Sequence, residues 1–106
     1  GVPIPKNIMS GTWQLTMEYN PHYAWWEGIK TIYHYLDYVP LCMVWGEAID
    51  DVNPDRVYRL SASGDSPTYQ MTYYVFDTNI KIRYLQTIEP TKKTYSGFYY
   101  IFIDPA

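Results

Sequence analysis

Alternation of apolar and polar side chains with a period of two is the sequence feature that most constrains how this chain can fold. It is clearest in residues 12–19, where every second side chain is apolar or aromatic: Trp13, Leu15, Met17 and Tyr19. Neighbouring side chains of a β-strand point to opposite faces of its sheet. The pattern therefore predicts a strand with one buried face and one solvated face.

Six further segments favour strands, and clusters of Asn, Asp, Gly, Ser and Pro separate most of them. They lie near residues 29–35, 41–45, 57–63, 68–76, 80–88 and 95–103. Residues 23–38 also fit a helical stripe, but their β-propensity favours a strand, preceded by a loop or short turn that holds Trp25 and Trp26. The last three strands are expected to form an antiparallel meander, because short turns link them.

Seven short strands in 106 residues predict an all-β fold. We expect an antiparallel sandwich or jelly roll, with a small barrel as the alternative. The length suits a single β domain, which we place at residues 10–106. Residues 1–9 begin with Gly rather than Met and carry Pro3 and Pro5, which favour extended backbone. We interpret them as a linker or an N-terminal arm.

Composition and charge disfavour several classes of protein. Hydrophobic residues make up 47% of the chain and charged residues 18%, which is typical of a folded domain rather than a disordered segment. The net charge of -3 disfavours nucleic-acid binding, which draws most of its affinity from phosphate neutralisation. The single cysteine cannot form an internal disulfide. No apolar stretch is long enough to predict membrane insertion.

The sequence contains no recognisable catalytic motif, so we predict a protein that is not an enzyme and has no catalytic residues. Nucleophilic catalysis needs a base that is held by an acid and contacts a nucleophile. His22 and His34 lie in no such pattern, and His34 is expected on a sheet surface or at an interface. Cys42 lies in an apolar run and is expected to be a buried structural thiol, because a reactive thiol needs an accessible, electropositive setting.

An acidic segment between two predicted strands supplies a candidate metal site. Its side chains carry oxygen ligands of the kind that calcium prefers: Glu47, Asp50, Asp51 and Asp55. The spacing does not match an EF-hand, and a solvated loop with turn-forming Asp and Asn residues is the alternative. We expect no cofactor other than this calcium ion.

The chain holds 13 tyrosines and 4 tryptophans, more than one small core can bury. Adjacent tyrosines on a strand point to opposite faces, so the pairs at 73–74 and 99–100 each place one ring away from the core. Exposed Tyr and Trp are enriched in binding patches. We predict a homodimer, and a contact with a surface receptor or glycan. The predicted interface residues are Trp25, Trp26, Tyr33, Tyr35, Tyr73, Tyr74, Tyr99 and Tyr100. Alternatively, the two tryptophans plug one end of the sandwich.

Gly11-Thr12-Trp13, followed by an alternating strand, resembles the Gly-X-Trp signature that opens lipocalins and related barrels. In those proteins the Trp packs at the closed base of the barrel. The resemblance covers three residues and the polarity of one strand. It implies a barrel that binds a small hydrophobic ligand, which is the alternative to a recognition module.

The organisation of the chain also resembles the protruding domain of nodavirus-type and tombusvirus-type viral capsid proteins. In both, a proline-punctuated linker (here Val2-Pro3-Ile4-Pro5) leads into a compact, cysteine-poor, Tyr-rich β domain. Such domains form dimeric spikes, help attach the virion to host cells and in some cases bind calcium. The resemblance implies a location on the virion surface. Carbohydrate-binding modules fit the same description, since their aromatic faces stack on sugars. The expected function is non-catalytic surface recognition and self-association.

Overall fold

The computed structural model describes residues 8–47, 59–60 and 71–103. These residues form eight β-strands and no helix, which confirms the all-β prediction. The strands are β1 (Ile8–Thr16), β2 (Glu18–Asn20), β3 (Trp25–Tyr33), β4 (Leu41–Glu47), β5 (Arg59–Leu60), β6 (Met71–Val75), β7 (Asn79–Gln86) and β8 (Thr94–Phe102). The first strand begins at Ile8, two residues before the expected start of the domain.

The strands form two four-stranded antiparallel sheets that pack face to face. The first sheet has the order β1-β8-β4-β5, and the second has the order β2-β3-β7-β6. Neither sheet closes into a barrel in the described part of the chain. The predicted sandwich is therefore confirmed, and the small barrel is not the fold that these residues adopt.

One run of the chain passes from the first sheet to the second. The alternating segment predicted as a single strand is interrupted at Met17, which separates β1 from β2. The Met17 amide donates a hydrogen bond to the carbonyl oxygen of Lys93 at 2.7 Å, outside both ladders. Consequently β1 lies at the edge of one sheet and β2 at the edge of the other.

The predicted meander of the last three strands was wrong. β6 and β7 form an antiparallel hairpin, in which the Phe76 amide donates to the Asn79 carbonyl at 2.8 Å. β8 instead crosses to the first sheet and pairs with both β1 and β4. The chain between Gln86 and Thr94 is longer than a tight turn requires, so it can span the gap between the sheets.

The core consists of the inward-facing side chains of both sheets. Its buried hydrophobic members are Trp13, Leu15, Met17, Cys42, Val44, Met71, Tyr73, Ile80, Ile82, Tyr84, Tyr95 and Ile101. The Tyr84 ring stacks on Tyr95 with centroids 4.8 Å apart and lies 5.8 Å from the Trp13 ring. The predicted burial of Cys42 is confirmed, since it is 7% exposed.

Polar atoms at the centre of the core reach backbone partners. The Trp13 indole N–H donates to the Trp45 carbonyl at 3.2 Å, and the Tyr84 hydroxyl donates to the Glu47 carbonyl at 2.5 Å. Within the described residues, every buried side-chain nitrogen and oxygen atom has a hydrogen-bond partner. Because a buried polar group without a partner is costly, these bonds make a Trp and a Tyr acceptable at the centre of the sandwich.

Two local expectations differ from the structure. Trp25 and Trp26 begin β3 rather than lying on a loop before it. His34, expected on a sheet surface or at an interface, is 5% exposed. Its burial is possible because both of its ring nitrogens have hydrogen-bond partners in the backbone. The strand that the β-propensity of residues 23–38 favoured over a helix is present as β3, and an irregular segment with left-handed backbone at Tyr35 and Asp37 follows it. None of the described residues forms a helix long and apolar enough to cross a membrane.

Candidate binding surfaces

The outer surface of the first sheet carries a contiguous group of large apolar side chains, which we call the apolar face. Core-facing positions alternate with them along β4 and β8, so both strands are apolar on both sides. The register sets three outward pairs side by side across the two strands. The face consists of the pairs Leu41 with Phe102, Met43 with Tyr100, and Trp45 with Phe98.

Four side chains of the apolar face are strongly exposed. Leu41 is 74% exposed, and the values for Met43, Tyr100 and Phe102 lie between 37% and 41%. Trp45 and Phe98 are half-buried because they stack on each other, with centroids 5.1 Å apart and planes 18° from parallel. The face therefore consists of a stacked aromatic pair at one end and four accessible aliphatic and aromatic side chains that continue from it along the two strands.

Polar groups lie along two sides of the apolar face. Next to β8, four of the five outward side chains of β1 are hydroxyl and amide groups, and the fifth, Ile8, lies beside Phe102. The four polar residues are Ser10, Thr12, Gln14 and Thr16. At the end of β4, the Glu47 carboxylate forms an ion pair with Lys92 at 2.5 Å and lies 3.4 Å from the Ser96 hydroxyl. An apolar centre with a polar rim is the usual layout of a protein–protein interface.

The outer surface of the second sheet carries a different feature, a groove of about 570 Å³ that we call the aromatic groove. Aromatic and aliphatic side chains line it together with two cations and one carboxylate. The lining residues are Tyr23, Trp25, Glu27, Ile29, Tyr74, Phe76, Lys81 and Arg83. They come from β3, β6, β7, the turn before β3 and the turn between β6 and β7, so a paired sheet holds most of them in place.

A tight turn positions the aromatic end of this groove. Ala24 has a φ of 56°, a left-handed conformation that is uncommon for a residue other than glycine. The turn returns Tyr23 over the first residue of β3, and its ring stacks on Trp25 with centroids 4.5 Å apart and planes 21° from parallel. The Arg83 guanidinium lies 5.5 Å from the centroid of the same Trp25 ring.

The carboxylate in the aromatic groove is already engaged by neutral donors. Glu27 accepts hydrogen bonds from the Asn20 side-chain amide at 2.9 Å and from the Trp25 indole N–H at 3.2 Å. By contrast, neither Lys81 nor Arg83 forms an ion pair with any described residue. The groove therefore presents two cations that form no ion pair with a carboxylate of the described chain.

A second aromatic pair follows β3. Tyr33 and Tyr35 stack with centroids 5.4 Å apart, and they are 56% and 72% exposed. Between them the chain turns inward at His34, whose Nε2–H donates to the Phe76 carbonyl at 2.9 Å. The His34 Nδ1 accepts from the Leu36 amide at 3.1 Å. The buried histidine thus holds the backbone that displays the two exposed tyrosines.

The eight residues of the predicted interface do not form one surface. Trp25 and Tyr74 line the aromatic groove, Tyr33 and Tyr35 form the stacked pair, and Tyr100 lies on the apolar face. The other three point inward: Tyr73 is a core residue, and Trp26 and Tyr99 pack against the core. As the alternation argument requires, each adjacent tyrosine pair has one ring on each side of its sheet.

Sequence reasoning missed most of the apolar face. The predicted interface residues did not include Leu41, Met43, Trp45, Phe98 and Phe102, because a short continuous apolar run is also typical of a strand buried on both faces. The signal was present: residues 41–45 are apolar without interruption, and residues 98–103 are apolar or aromatic throughout. A strand that is apolar on both faces needs a cover on each side of its sheet.

The candidate catalytic and metal groups occupy structural positions where the structure describes them. Burial raises the pKa of the Cys42 thiol to about 11, which keeps it protonated at neutral pH. Of the predicted calcium ligands, Glu47 is paired with Lys92, while Asp50, Asp51 and Asp55 lie outside the described residues. The described part of the chain holds no cluster of three potential metal ligands, so calcium stays a prediction for the acidic segment.

Comparison of the chain with protein-family models, with curated proteins and with solved structures finds no match in any of the three. The function therefore has to be argued from the two outer surfaces of the sandwich.

Proposed function

We propose that this chain is a non-catalytic module that self-associates through the apolar face and recognises a ligand through its second sheet. One observation carries the proposal: three adjacent cross-strand pairs of large apolar side chains lie on the outside of a sheet. Contiguous exposed apolar patches of this kind mark sites that another surface covers.

A second copy of the same chain fits the apolar face. In a twofold dimer the same patch meets itself, so any charge on it would face a like charge. The six side chains of the face carry no charge, whereas the whole chain has a net charge of -3 that makes two copies repel elsewhere. The face is thus a place where two copies can meet without electrostatic cost.

The placement in a protruding domain of a viral capsid, with dimeric spikes and host attachment, is the biological setting that we propose for this module. Its support is the resemblance in organisation together with the apolar face, which would supply the dimer contact. The lipocalin-like alternative lacks support, since the described residues form no closed barrel and the Trp13 side chain fills the space between two sheets.

The solution mass of the chain tests the proposal. We expect a dimer by light scattering after gel filtration, and a monomer for Leu41→Lys, which places a charge within the apolar contact. Ile88→Lys is the matched control, because Ile88 is 73% exposed against 74% for Leu41 and precedes β8 instead of lying beside its end. It should remain a dimer. A wild-type chain that is monomeric at every concentration, or equal dissociation of both variants, would refute self-association through this face.

A further inference from the structure

We propose that the aromatic groove on the second sheet binds an acidic saccharide, with Lys81 and Arg83 facing its carboxylate and the surrounding rings facing its C–H surfaces. This inference rests on the recognition role proposed above and names the class of ligand. It concerns the sheet opposite the apolar face.

The two cations occupy the centre of the groove. Lys81 and Arg83 are two residues apart on β7, so both side chains lie on the outer face about 7 Å apart along the strand. β7 pairs with β3 on one side and with β6 on the other. The register places Ile29 beside Arg83 and Tyr74 beside Lys81. A positive row therefore runs between two walls of apolar and aromatic side chains.

The contact between Arg83 and Trp25 prepares the guanidinium for a carboxylate. The Arg83 guanidinium carbon lies 5.5 Å from the centroid of the Trp25 ring, so a cation–π contact holds the guanidinium beside the indole. Its N–H groups point outward in the plane of the guanidinium, where they can donate two parallel hydrogen bonds to a carboxylate. Glu27 does not compete for them, since its oxygens accept from Asn20 and Trp25.

The aromatic walls suit the faces of sugar rings. Phe76 is 46% exposed and Tyr23 is 57% exposed, so both offer accessible ring surface at opposite ends of the groove. The face of an aromatic ring carries negative charge density and attracts the weakly positive C–H groups of a pyranose. A volume of about 570 Å³ is in the range of small-molecule sites.

The position of the groove favours a saccharide over other anionic ligands. An acidic peptide that adds a strand needs a free sheet edge, but β7 is paired on both sides, so its backbone cannot recruit one. A nucleic acid would bring a long row of phosphates to a chain with a net charge of -3. A short acidic sugar is small enough to lie against the two local cations, away from Glu27, whose oxygens already accept from Asn20 and Trp25.

Calorimetric titration with matched acidic and neutral sugars tests the inference. The probes are trigalacturonate against galactotriose, and sialyllactose against lactose, so each pair differs mainly in the carboxylate. We expect binding of at least one acidic member, weakened by salt, and none of its neutral counterpart. Binding of neither acidic probe, or equal binding of acidic and neutral members, would overturn the inference.

Variants assign the binding to the groove. Lys81→Gln and Arg83→Gln should each weaken binding of the acidic probe by about tenfold or more, because each removes at least one charge-assisted hydrogen bond to the carboxylate. Lys30→Gln is the matched control, because Lys30 is an exposed lysine on the other face of the sheet and should leave binding unchanged. A loss in Lys30→Gln as large as in Lys81→Gln would place the site elsewhere. If the probes fail while the dimer persists, the saccharide inference falls and self-association stands.

Discussion

His34 connects the segment after β3 to the β6–β7 hairpin through hydrogen bonds. Its ring bonds to the Phe76 carbonyl and the Leu36 amide, and its own amide donates to the Thr78 carbonyl at 2.9 Å. We expect His34→Ala to lower the free energy of unfolding by about 2–4 kcal/mol, because a buried ring is lost and two backbone groups lose their hydrogen-bond partner. Urea unfolding measures this.

The same change at the other histidine is the control for this prediction. His22 is exposed, its ring meets Tyr23 edge to face, and His22→Ala should alter stability by less than about 0.5 kcal/mol. Similar losses for both variants would show that the ring of His34 does not hold the segment.

Cys42 should be inert in the folded chain. Burial raises the pKa of its thiol to about 11, and only the thiolate reacts with disulfide reagents. We expect the native chain to react with such a reagent at neutral pH far more slowly than the chain unfolded in urea. Equal rates in the two states would show that the thiol is accessible, contrary to its position in the core.

At the residue level, the sequence predicted Cys42 correctly and His34 incorrectly for one physical reason. An apolar run around a thiol predicts burial directly, since a thiol can be buried without a strong hydrogen-bond partner. The burial of His34 depends on carbonyl and amide groups at Phe76 and Leu36, and the Phe76 carbonyl comes from a hairpin distant in the chain. Local sequence does not contain that partner.

Two glycines on neighbouring strands make room for the large rings of the core. Gly97 lies opposite Trp13 on one side and opposite Gly46 on the other, so the three residues form one inward-facing row across the first sheet. A methyl group at Gly97 would overlap the Trp45 carbonyl oxygen and lie 2.6 Å from the Trp13 ring. The missing side chains form the space into which Trp13 fits.

The element-scale prediction is that Gly97→Ala costs about 3 kcal/mol of stability, because the overlap involves backbone that cannot turn away. Gly11→Ala is the control on the adjacent strand, where a methyl group meets the side-chain end of Tyr99. That ring can shift, so the cost should be about 1 kcal/mol. Chemical denaturation measures the stability loss of each variant. If Gly97→Ala is insoluble while Gly11→Ala is soluble, that result also ranks Gly97→Ala as the more costly substitution. Equal costs would contradict the fit of Trp13 against Gly97.

Alternation predicted the faces of the strands but not their partners. The inward positions of β1, β6 and β7 follow the sequence pattern, and each adjacent tyrosine pair divides between the faces as expected. The sequence did not predict which sheet β8 joins. A short connection favours pairing with the preceding strand in the same sheet, whereas β8 crosses to the other sheet. β8 is apolar on both faces, which suits a central strand covered by the core on one side and the apolar face on the other.

For the whole molecule, the sandwich separates the two proposed functions in space. The apolar face lies outside the first sheet and the aromatic groove outside the second, with the core between them. A dimer formed through the apolar faces would therefore leave both grooves exposed and pointing away from the contact. Two grooves on one particle would bind a surface that carries many saccharides more tightly than a single groove does.

Stability of the whole fold should decrease in alkaline solution. Burial raises the pKa of Cys42 to about 11, and burial together with the nearby Glu47 and Tyr95 raises the pKa of Tyr84. Both groups are thus harder to ionise in the folded chain than in the unfolded one. Their contribution is fully present below the unfolded-state pKa of Cys, near 9, and is lost as pH rises toward the folded-state values.

We therefore expect the urea midpoint of the chain to fall as pH rises from about 8 to about 10.5, because over this range the unfolded state loses protons that the folded state retains. Cys42→Ala separates this cause from general repulsion among negative charges, which affects both chains alike. The variant should be less stable at neutral pH, since it loses a buried side chain, yet its midpoint should fall less steeply with pH. Parallel slopes in the two chains would mean that Cys42 titrates freely in the folded state, which its position in the core does not allow.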